Sequence, residues 1–488
     1  MSSLREKTIS GVLWSAIESL SVQGVRFIVT LLMARLLMPS DFGIIGMLSI
    51  FMAISQTFID SGFSNALIQK KNRTETDFST TFYFNIGIGI LFYFLLFFFA
   101  PLISKFYNTP HLTTVTRVLA INLIISSLSL VPRTNLLINI DFKTQAKVSW
   151  ISALIGGIVG IIMAYRGYGV WALVCQNILN NLLTTFFLFS YTKWMPKKIF
   201  SKNSFNELFG FGSKLLVAGL IYTLFENIYL VIIGKFYNSN ILGYYVKAKN
   251  ISNLPSANIT SIVQRVTFPI LSSIQNDDDK LKTSFKKLVR LVSFFVFPLV
   301  LALSVIAHPL IKVLLTDKWS PAAPLLQLLC IAMVWYPINE LNVNMLKVKG
   351  KASLILNLEI IKKIVAIILI LVTLPIGLYA LLVGQIISSF ITLMISMYFA
   401  GKIIGYNIKN QLSDIIPHLL IALIVGGITY YIIEYISFDS LKILFALINY
   451  SGIYIAISCL FKSEELKEGL KIVKWVASDL VFADKYNH

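Results

Sequence analysis

Charge is scarce in this chain. Only 13% of its 488 residues are Asp, Glu, Lys or Arg, where soluble domains carry about a quarter. That scarcity excludes an ordinary water-soluble domain as the bulk of the molecule. Histidine and cysteine are scarcer still. His111, His308, His418 and His488 stand far apart, so no metal site is expected. Cys175, Cys330 and Cys459 are as widely spaced and sit in apolar stretches, which argues for buried, unpaired thiols rather than a disulfide framework. No phosphate-binding loop is present: Gly210–Phe211–Gly212–Ser213–Lys214 lacks the spacing that cradles a nucleotide and reads as the start of a helix. No segment between apolar runs is much longer than about twenty residues. An extramembrane catalytic domain has no room, and an ATP-driven machine would need a separate ATPase. The expectation is a protein that is not an enzyme and that carries neither cofactor nor metal.

What the chain has instead is grease. Hydrophobic residues make up 56% of it, with 35 Phe and 21 Tyr. A bilayer core needs roughly 20 apolar residues per helix, and such runs recur throughout. We place spans 1 to 6 near 12–34, 42–65, 80–103, 113–132, 148–165 and 169–190. Spans 7 to 12 lie near 208–234, 243–271, 289–311, 322–345, 353–373 and 377–400, and spans 13 and 14 near 412–434 and 441–461. Residues 12–34 are too long and too polar for the core of a secretory signal and read as a retained helix. Span 8 is the least apolar. It carries Asn250, Asn253, Asn258, Gln264 and Arg265, and Pro255 is expected to break it. The fold class is therefore an all-α polytopic membrane protein with about fourteen transmembrane helices.

The net charge of +19 does not imply nucleic acid, because the basic residues punctuate loops along the whole chain instead of forming one patch. Lys and Arg beside a membrane favour anionic headgroups, so membrane lipids are expected partners. Their distribution also sets the topology. Of the 42 basic residues, 27 lie on the side of the two termini, 8 on the other side and 7 within spans. The positive-inside rule then puts both termini in the cytoplasm. Beyond about residue 462, Leu466, Leu470, Ile472, Val473, Val476 and Leu480 fall within an arc of about 160°, with Lys467, Lys471 and Lys474 opposite. This tail is an amphipathic helix on the leaflet or a solvated segment.

An internal repeat is visible. Residues 34–43, ARLLMPSDFG, align with 234–243, GKFYNSNILG; each runs from a basic residue (Arg35, Lys235) to a glycine (Gly43, Gly243). PLISK at 101–105 aligns with PLIK at 309–312, NLL at 135–137 with NML at 344–346, and GVWAL at 169–173 with GLYAL at 377–381. Matches in order at a nearly constant offset argue for duplication of a six-helix unit. Six is even, so the copies share one orientation. The expected organisation is an N-terminal lobe at 1–200, a second lobe at 201–405, two additional helices at 406–461 and a cytoplasmic tail at 462–488. Two like-oriented lobes suit alternating access around a cleft, although a static scaffold is the bland alternative.

A charge near the bilayer centre costs roughly 2.5–3.5 kcal/mol on insertion scales, so it is kept where it has a partner or lines a cavity. In span 1, Ser15, Glu18, Ser19, Gln23, Arg26 and Thr30 share an arc of about 140°. Lys214, Tyr222, Glu226 and Tyr229 share a side of span 7, its repeat partner. Span 2 holds Gln56 and Asp60, and span 8 holds Arg265 and Asn258; Glu340 lies in span 10. Spans 1, 2, 7 and 8 are thus expected to form a polar seam. Arg26, Arg265, Lys214, Gln23 and Asn258 are candidates for the substrate pathway, since cations and amides suit an anionic, phosphate-bearing group. Glu18, Asp60, Glu226 and Glu340 are candidates for charge balance or coupling. Lys247, Lys249, Lys362 and Lys363 read rather as ion-paired or snorkelling residues. Asp277–Asp278–Asp279 reads as a solvated loop, and Gly156 with Gly160 as a site of close helix packing.

The opening TISGVLWSAIESL, the turn ARLLMPSDFG, the following DSGFSNALIQ and the later GYGVWALV resemble the polysaccharide transporter (Wzx-type flippase) family. The resemblance is closest to the branch of colanic-acid and teichuronic-acid exporters and covers nearly the whole chain. It implies membership of the superfamily of multidrug exporters of the MATE type and lipid II flippases. It further implies two six-helix lobes, often with two extra helices, that flip an undecaprenyl-pyrophosphate-linked oligosaccharide across a bacterial cytoplasmic membrane, driven by an ion gradient or membrane potential. A polysaccharide polymerase and glycosyltransferases would be its partners. The alternatives are a drug/cation antiporter of the same superfamily, which needs an acidic cavity, and a non-transporting scaffold of a polysaccharide assembly complex.

Overall fold

The structure is a computed structural model that describes residues 23–461 and 463–468; within this range the side chains of Asn258, Ile262, Arg265, Val266 and Ala352 are excepted. All its regular secondary structure is helical, and no strand occurs among the described residues. The first unit runs through α1 (23–36), α2 (Pro39–Asp60), α3 (Phe63–Gln69), α4 (Glu75–Tyr107), α5 (Leu112–Leu119), α6 (Ile121–Ile138), α7 (Phe142–Tyr165), α8 (Val170–Thr192) and α9 (Lys202–Phe236). Next come α10 (Ser239–Ser273), α11 (Asp278–Val305), α12 (Ala307–Leu315), α13 (Ala322–Met333), α14 (Tyr336–Val348), α15 (Ala352–Thr373), α16 (Leu378–Ile404), α17 (Ile408–Glu434) and α18 (Asp439–Leu460).

Eleven helical segments among the described residues are long and apolar enough to cross a membrane, by length and composition. The chain is a multi-pass, all-α membrane protein. The count of fourteen is not reached on this measure, and each shortfall has a reason. Span 1 is described only from residue 23. Span 8 is a helix, α10, but a polar one. Span 11 is α15, which carries Glu359, Lys362 and Lys363. The break expected at Pro255 is not there: α10 continues through Pro255 and Pro269.

Side-chain caps fix several helix starts. Thr74 and Asp77 form a capping box on α4, with the Thr74 N–H donating to Asp77 Oδ2 at 2.8 Å. Asp141, Ser201 and Asp277 cap α7, α9 and α11 with a side-chain oxygen that accepts from the backbone N–H of Thr144, Ser204 and Lys280. The Asp277–Asp279 run is therefore more than a solvated loop, since Asp278 also pairs with Lys349 at 2.6 Å. Between α3 and α4, Lys70 Nζ donates to Asp77 Oδ1 at 3.0 Å and to Glu207 Oε2 at 2.8 Å.

Packing divides the chain into one compact unit up to Val246 and another from Lys247. In the first, the two repeated turns meet. A Cβ on Gly43 would overlap the Ser239 carbonyl, and a Cβ on Gly243 would overlap the Pro39 carbonyl. Pro39 and Ser239 are themselves repeat mates, so the contact is reciprocal. Only glycine lets two backbones approach so closely. Gly156 faces Asn180, and Gly160 faces Gln176, where α7 packs on α8, the close approach their spacing implies.

In the second unit α11 packs on α17, and α13 and α14 pack on α16. Trp319, Phe285 and Phe297 are fully buried there. A short helix at 464–468 is tied back to α11 by Arg290 to Glu465 (2.5 Å) and Lys287 to Glu468 (3.7 Å). Burial works against the Glu465 charge. A backbone N–H, the Ser463 hydroxyl, Arg290 and His418 more than offset it and hold the carboxyl below its ordinary range. Residues 462 and 469–488, which carry most of the amphipathic pattern, lie outside the described residues. All three cysteines are free; Cys330 is buried, whereas Cys175 is half-buried and Cys459 exposed.

Candidate functional site

The cavity begins at a break in span 2. Where α2 ends at Asp60, Ser61 and Gly62 take positive φ of 40° and 69° before α3 resumes. The neighbour explains the break. A Cβ on Gly62 would lie 2.6 Å from the Gly212 carbonyl oxygen, and one on Gly212 would lie 2.5 Å from the Ser61 carbonyl oxygen. The α9 backbone thus occupies the space a straight helix with side chains would need. The bend brings Asp60, Ser64 and Asn65 into the wall of a cavity of about 610 Å³. Helix α6 contributes Ser126, Ser129, Arg133 and Thr134; α8 contributes Asn181 and Thr184; α9 closes it with Leu215, Leu216 and Gly219. A second cavity of about 310 Å³ shares Gln56, Ser126 and Asn181 with the first and adds Ser49, Asn122 and Asn177.

Hydrogen bonds hold the wall. Gln56 Nε2 donates to Asp60 Oδ1 at 3.2 Å, and Ser126 Oγ donates to Gln56 Oε1 at 2.8 Å. Asn181 Nδ2 donates to Asn122 Oδ1 at 3.0 Å. Hydroxyl pairs join Ser64 to Thr134 at 2.7 Å and Thr57 to Thr223 at 3.0 Å. The guanidinium of Arg133 acts electrostatically on Asp60. The site therefore sets one carboxylate and one guanidinium among amides and hydroxyls. Among the described residues its formal charges cancel, and it offers both donors and acceptors.

Of the residues singled out in the sequence, Gln56 and Asp60 line this cavity. Gln23 and Arg26 are exposed on α1, and Glu18 lies outside the described residues. Lys214 and Glu226 are exposed on α9, which turns its apolar side to the cavity. Arg265 and Asn258 lie on α10, but their side chains are outside the described residues. Glu340 is half-buried in the second unit, where Gln264 Nε2 donates to Oε2 at 3.0 Å and Asn339 Nδ2 to Oε1 at 3.3 Å. Lys362 and Lys363 are ion-paired as expected, to Glu359 at 3.1 and 4.0 Å. Lys247 is buried, 5.9 Å from the Trp319 ring.

The polar seam thus differs from the expected one within the first unit. Spans 2, 4 and 6 supply its polar groups, where spans 1, 2 and 7 were expected to do so. Arg133 was placed in a cytoplasmic loop, because span 4 was ended at residue 132, yet α6 continues to Ile138. A signal was present. Ser126, Ser129 and Arg133 fall on one helix face, as do Asn177, Asn181 and Thr184.

The model of a family described as polysaccharide biosynthesis protein matches residues 32–324. The chain is 26% identical over 366 residues to the lipopolysaccharide biosynthesis protein WzxC of Escherichia coli (strain K12), covering 74% of each chain. It is 26% identical over 490 residues to an uncharacterized membrane protein in the cps region of Klebsiella pneumoniae, covering 95% of this chain and all of that one. The teichuronic acid biosynthesis protein TuaB of Bacillus subtilis (strain 168) is 26% identical, over 72% of this chain and 74% of its own. Among solved structures, the lipid II flippase MurJ in an inward closed conformation superposes with a TM-score of 0.76 at 16% identity, covering 91% of this chain and 98% of that one. An inward-facing multidrug resistance transporter of the MATE family gives 0.61 at 13%, covering 78% and 94%. At such identities the likeness is one of fold.

Proposed function

The chain belongs to the polysaccharide biosynthesis protein family, and on that premise we propose that it flips undecaprenyl-pyrophosphate-linked oligosaccharide repeat units across a bacterial cytoplasmic membrane. The observation that carries the reading is the polar cavity of about 610 Å³ walled by membrane helices, with Asp60 and Arg133 on its surface. Polar groups in the hydrocarbon region are costly and mark substrate pathways. The names of the similar proteins, for lipopolysaccharide and teichuronic acid biosynthesis and for lipid II flipping, support the same substrate class.

In this reading both termini are cytoplasmic, and the repeats at 1–200 and 201–405 provide alternating access. Cations of the polar spans, Arg26 and Arg265 foremost, meet the pyrophosphate or acidic sugars. The protein makes and breaks no covalent bond; an ion gradient or the membrane potential drives it. Glycosyltransferases supply the substrate, and a polymerase consumes it on the far side. An antiporter of organic cations would need an acidic cavity, and the Asp60–Arg133 balance does not favour one. The test is complementation. Expression in a strain lacking its own flippase for a related repeat unit should restore surface polysaccharide. Normal expression without restoration, in hosts supplying several repeat units, would count against the reading.

A further inference from the structure

The flippase reading leaves open what each part of the molecule holds. The lining of the 610 Å³ cavity discriminates between the two ends of such a substrate. A pyrophosphate is a dense anion, and removing it from water requires surplus positive charge. Among the described residues the cavity provides one guanidinium, Arg133, which shares the wall with the Asp60 carboxylate and acts on it electrostatically. A sugar makes the opposite demand. Each hydroxyl is both donor and acceptor, and a carboxylate, a guanidinium, amides and hydroxyls together satisfy both roles. Asn181, Thr184 and Ser129 extend that lining beyond the charged pair. The volume is in the usual range for small-molecule sites and suits about two or three sugar rings.

Position agrees with chemistry. Asp60 lies shortly before the basic segment Lys70, Lys71 and Arg73, and Arg133 lies in the last turns of α6. On the proposed topology the cavity is in the cytoplasmic half of the membrane, where a lipid-linked glycan is loaded. The amides and hydroxyls of the described lining suit recognition through the edges of the sugars. We propose that this cavity is a glycan subsite, which takes a neutral stretch of two or three sugars while the pyrophosphate stays outside it.

This inference rests on the flippase reading, and one experiment separates the two. The full chain is placed in proteoliposomes with two probes. One is undecaprenyl pyrophosphate bearing a single N-acetylglucosamine; the other is the same carrier bearing a neutral tetrasaccharide. In Asn181→Leu and Thr184→Val the ratio of tetrasaccharide to single-sugar flipping should fall about tenfold relative to wild type, as expected when buried hydrogen-bond partners are lost. An unchanged ratio, whether both rates fall or neither does, overturns the subsite. Wild type that moves neither probe overturns the flippase reading and the subsite with it. A second measurement does not depend on those variants folding. In Ser129→Cys, labelling of the new thiol by a methanethiosulfonate reagent, read by peptide mass, should slow about tenfold when the free tetrasaccharide is added at saturating concentration. No protection would overturn the proposal.

Discussion

Replacing Gly43 by Ala puts one methyl group where the Ser239 backbone stands. The built Cβ overlaps the Ser239 carbonyl and comes within 2.9 Å of its Cα, inside the 3.0 Å that real Cβ atoms keep. Neither atom belongs to a flexible side chain, so the two turns must part by about 1 Å, at an over-packing cost of about 1–3 kcal/mol. The helix propensity of Ala returns about 1 kcal/mol or less of that. For a unit of this size the net loss lowers Tm by about 2–4 °C per kcal/mol. Gly243→Ala meets the Pro39 backbone in the mirrored way, with the carbonyl carbon at 2.7 Å. One separation of the turns relieves both clashes. The double variant should therefore cost less than the sum of the singles, by about 1 kcal/mol. Gly210→Ala is the control, since nothing lies within 4 Å of its built Cβ. Thermal unfolding of the purified protein, followed by tryptophan fluorescence, reads all four variants. Gly43→Ala behaving like Gly210→Ala, or strict additivity of the pair, would refute the reciprocal contact.

Gly62→Ala should be harmful for two reasons, its φ of +69° and the Gly212 backbone 2.6 Å from the built Cβ; a Tm loss corresponding to about 2–4 kcal/mol is expected. Asp77→Ala should cost about 1–3 kcal/mol, because its side chain is 1% exposed and both caps α4 and pairs with Lys70. Glu207→Ala, whose carboxylate is 62% exposed, should cost about 0–1 kcal/mol; equal losses in the two variants would contradict that ranking. Glu465 has a lowered folded pKa, so its contribution is present above the ordinary value of 4.5 and is lost as pH falls through the folded one. The Tm difference between wild type and Glu465→Gln should accordingly shrink between about pH 6 and pH 3. A difference that stays constant would remove Glu465 from the acid response.

Much of the architecture is legible in one dimension. A helix in lipid must satisfy its own backbone hydrogen bonds, so an apolar run of sufficient length declares itself without reference to any neighbour. That is why the strongly apolar spans, from α4 to α18, stand where their runs place them. The two glycines that meet in the fold, Gly43 and Gly243, also stand out in the sequence, each eight residues after a basic residue, Arg35 or Lys235. Even the family resemblance rests on short local motifs. One of them, DSGFSNALIQ, turns out to be the bend that lines the cavity.

Where local rules and packing compete, the sequence misleads. Pro255 reads as a break, yet α10 carries it, while the break that matters falls at Ser61 and Gly62 with no proline near. Its cause is the backbone of Gly212, far along the chain. In the same way, Asp60 was recognisable as a charge within a span, but its counter-charge was not. Arg133 looked like one more cytoplasmic cation, and Asn181 and Ser126 were not singled out. Composition and periodicity determined that this chain crosses a membrane many times and carries polar groups within its spans. Only the tertiary structure decided which polar faces meet, because a helix periodicity specifies a direction around one axis and the facing partner is set by how separate axes pack.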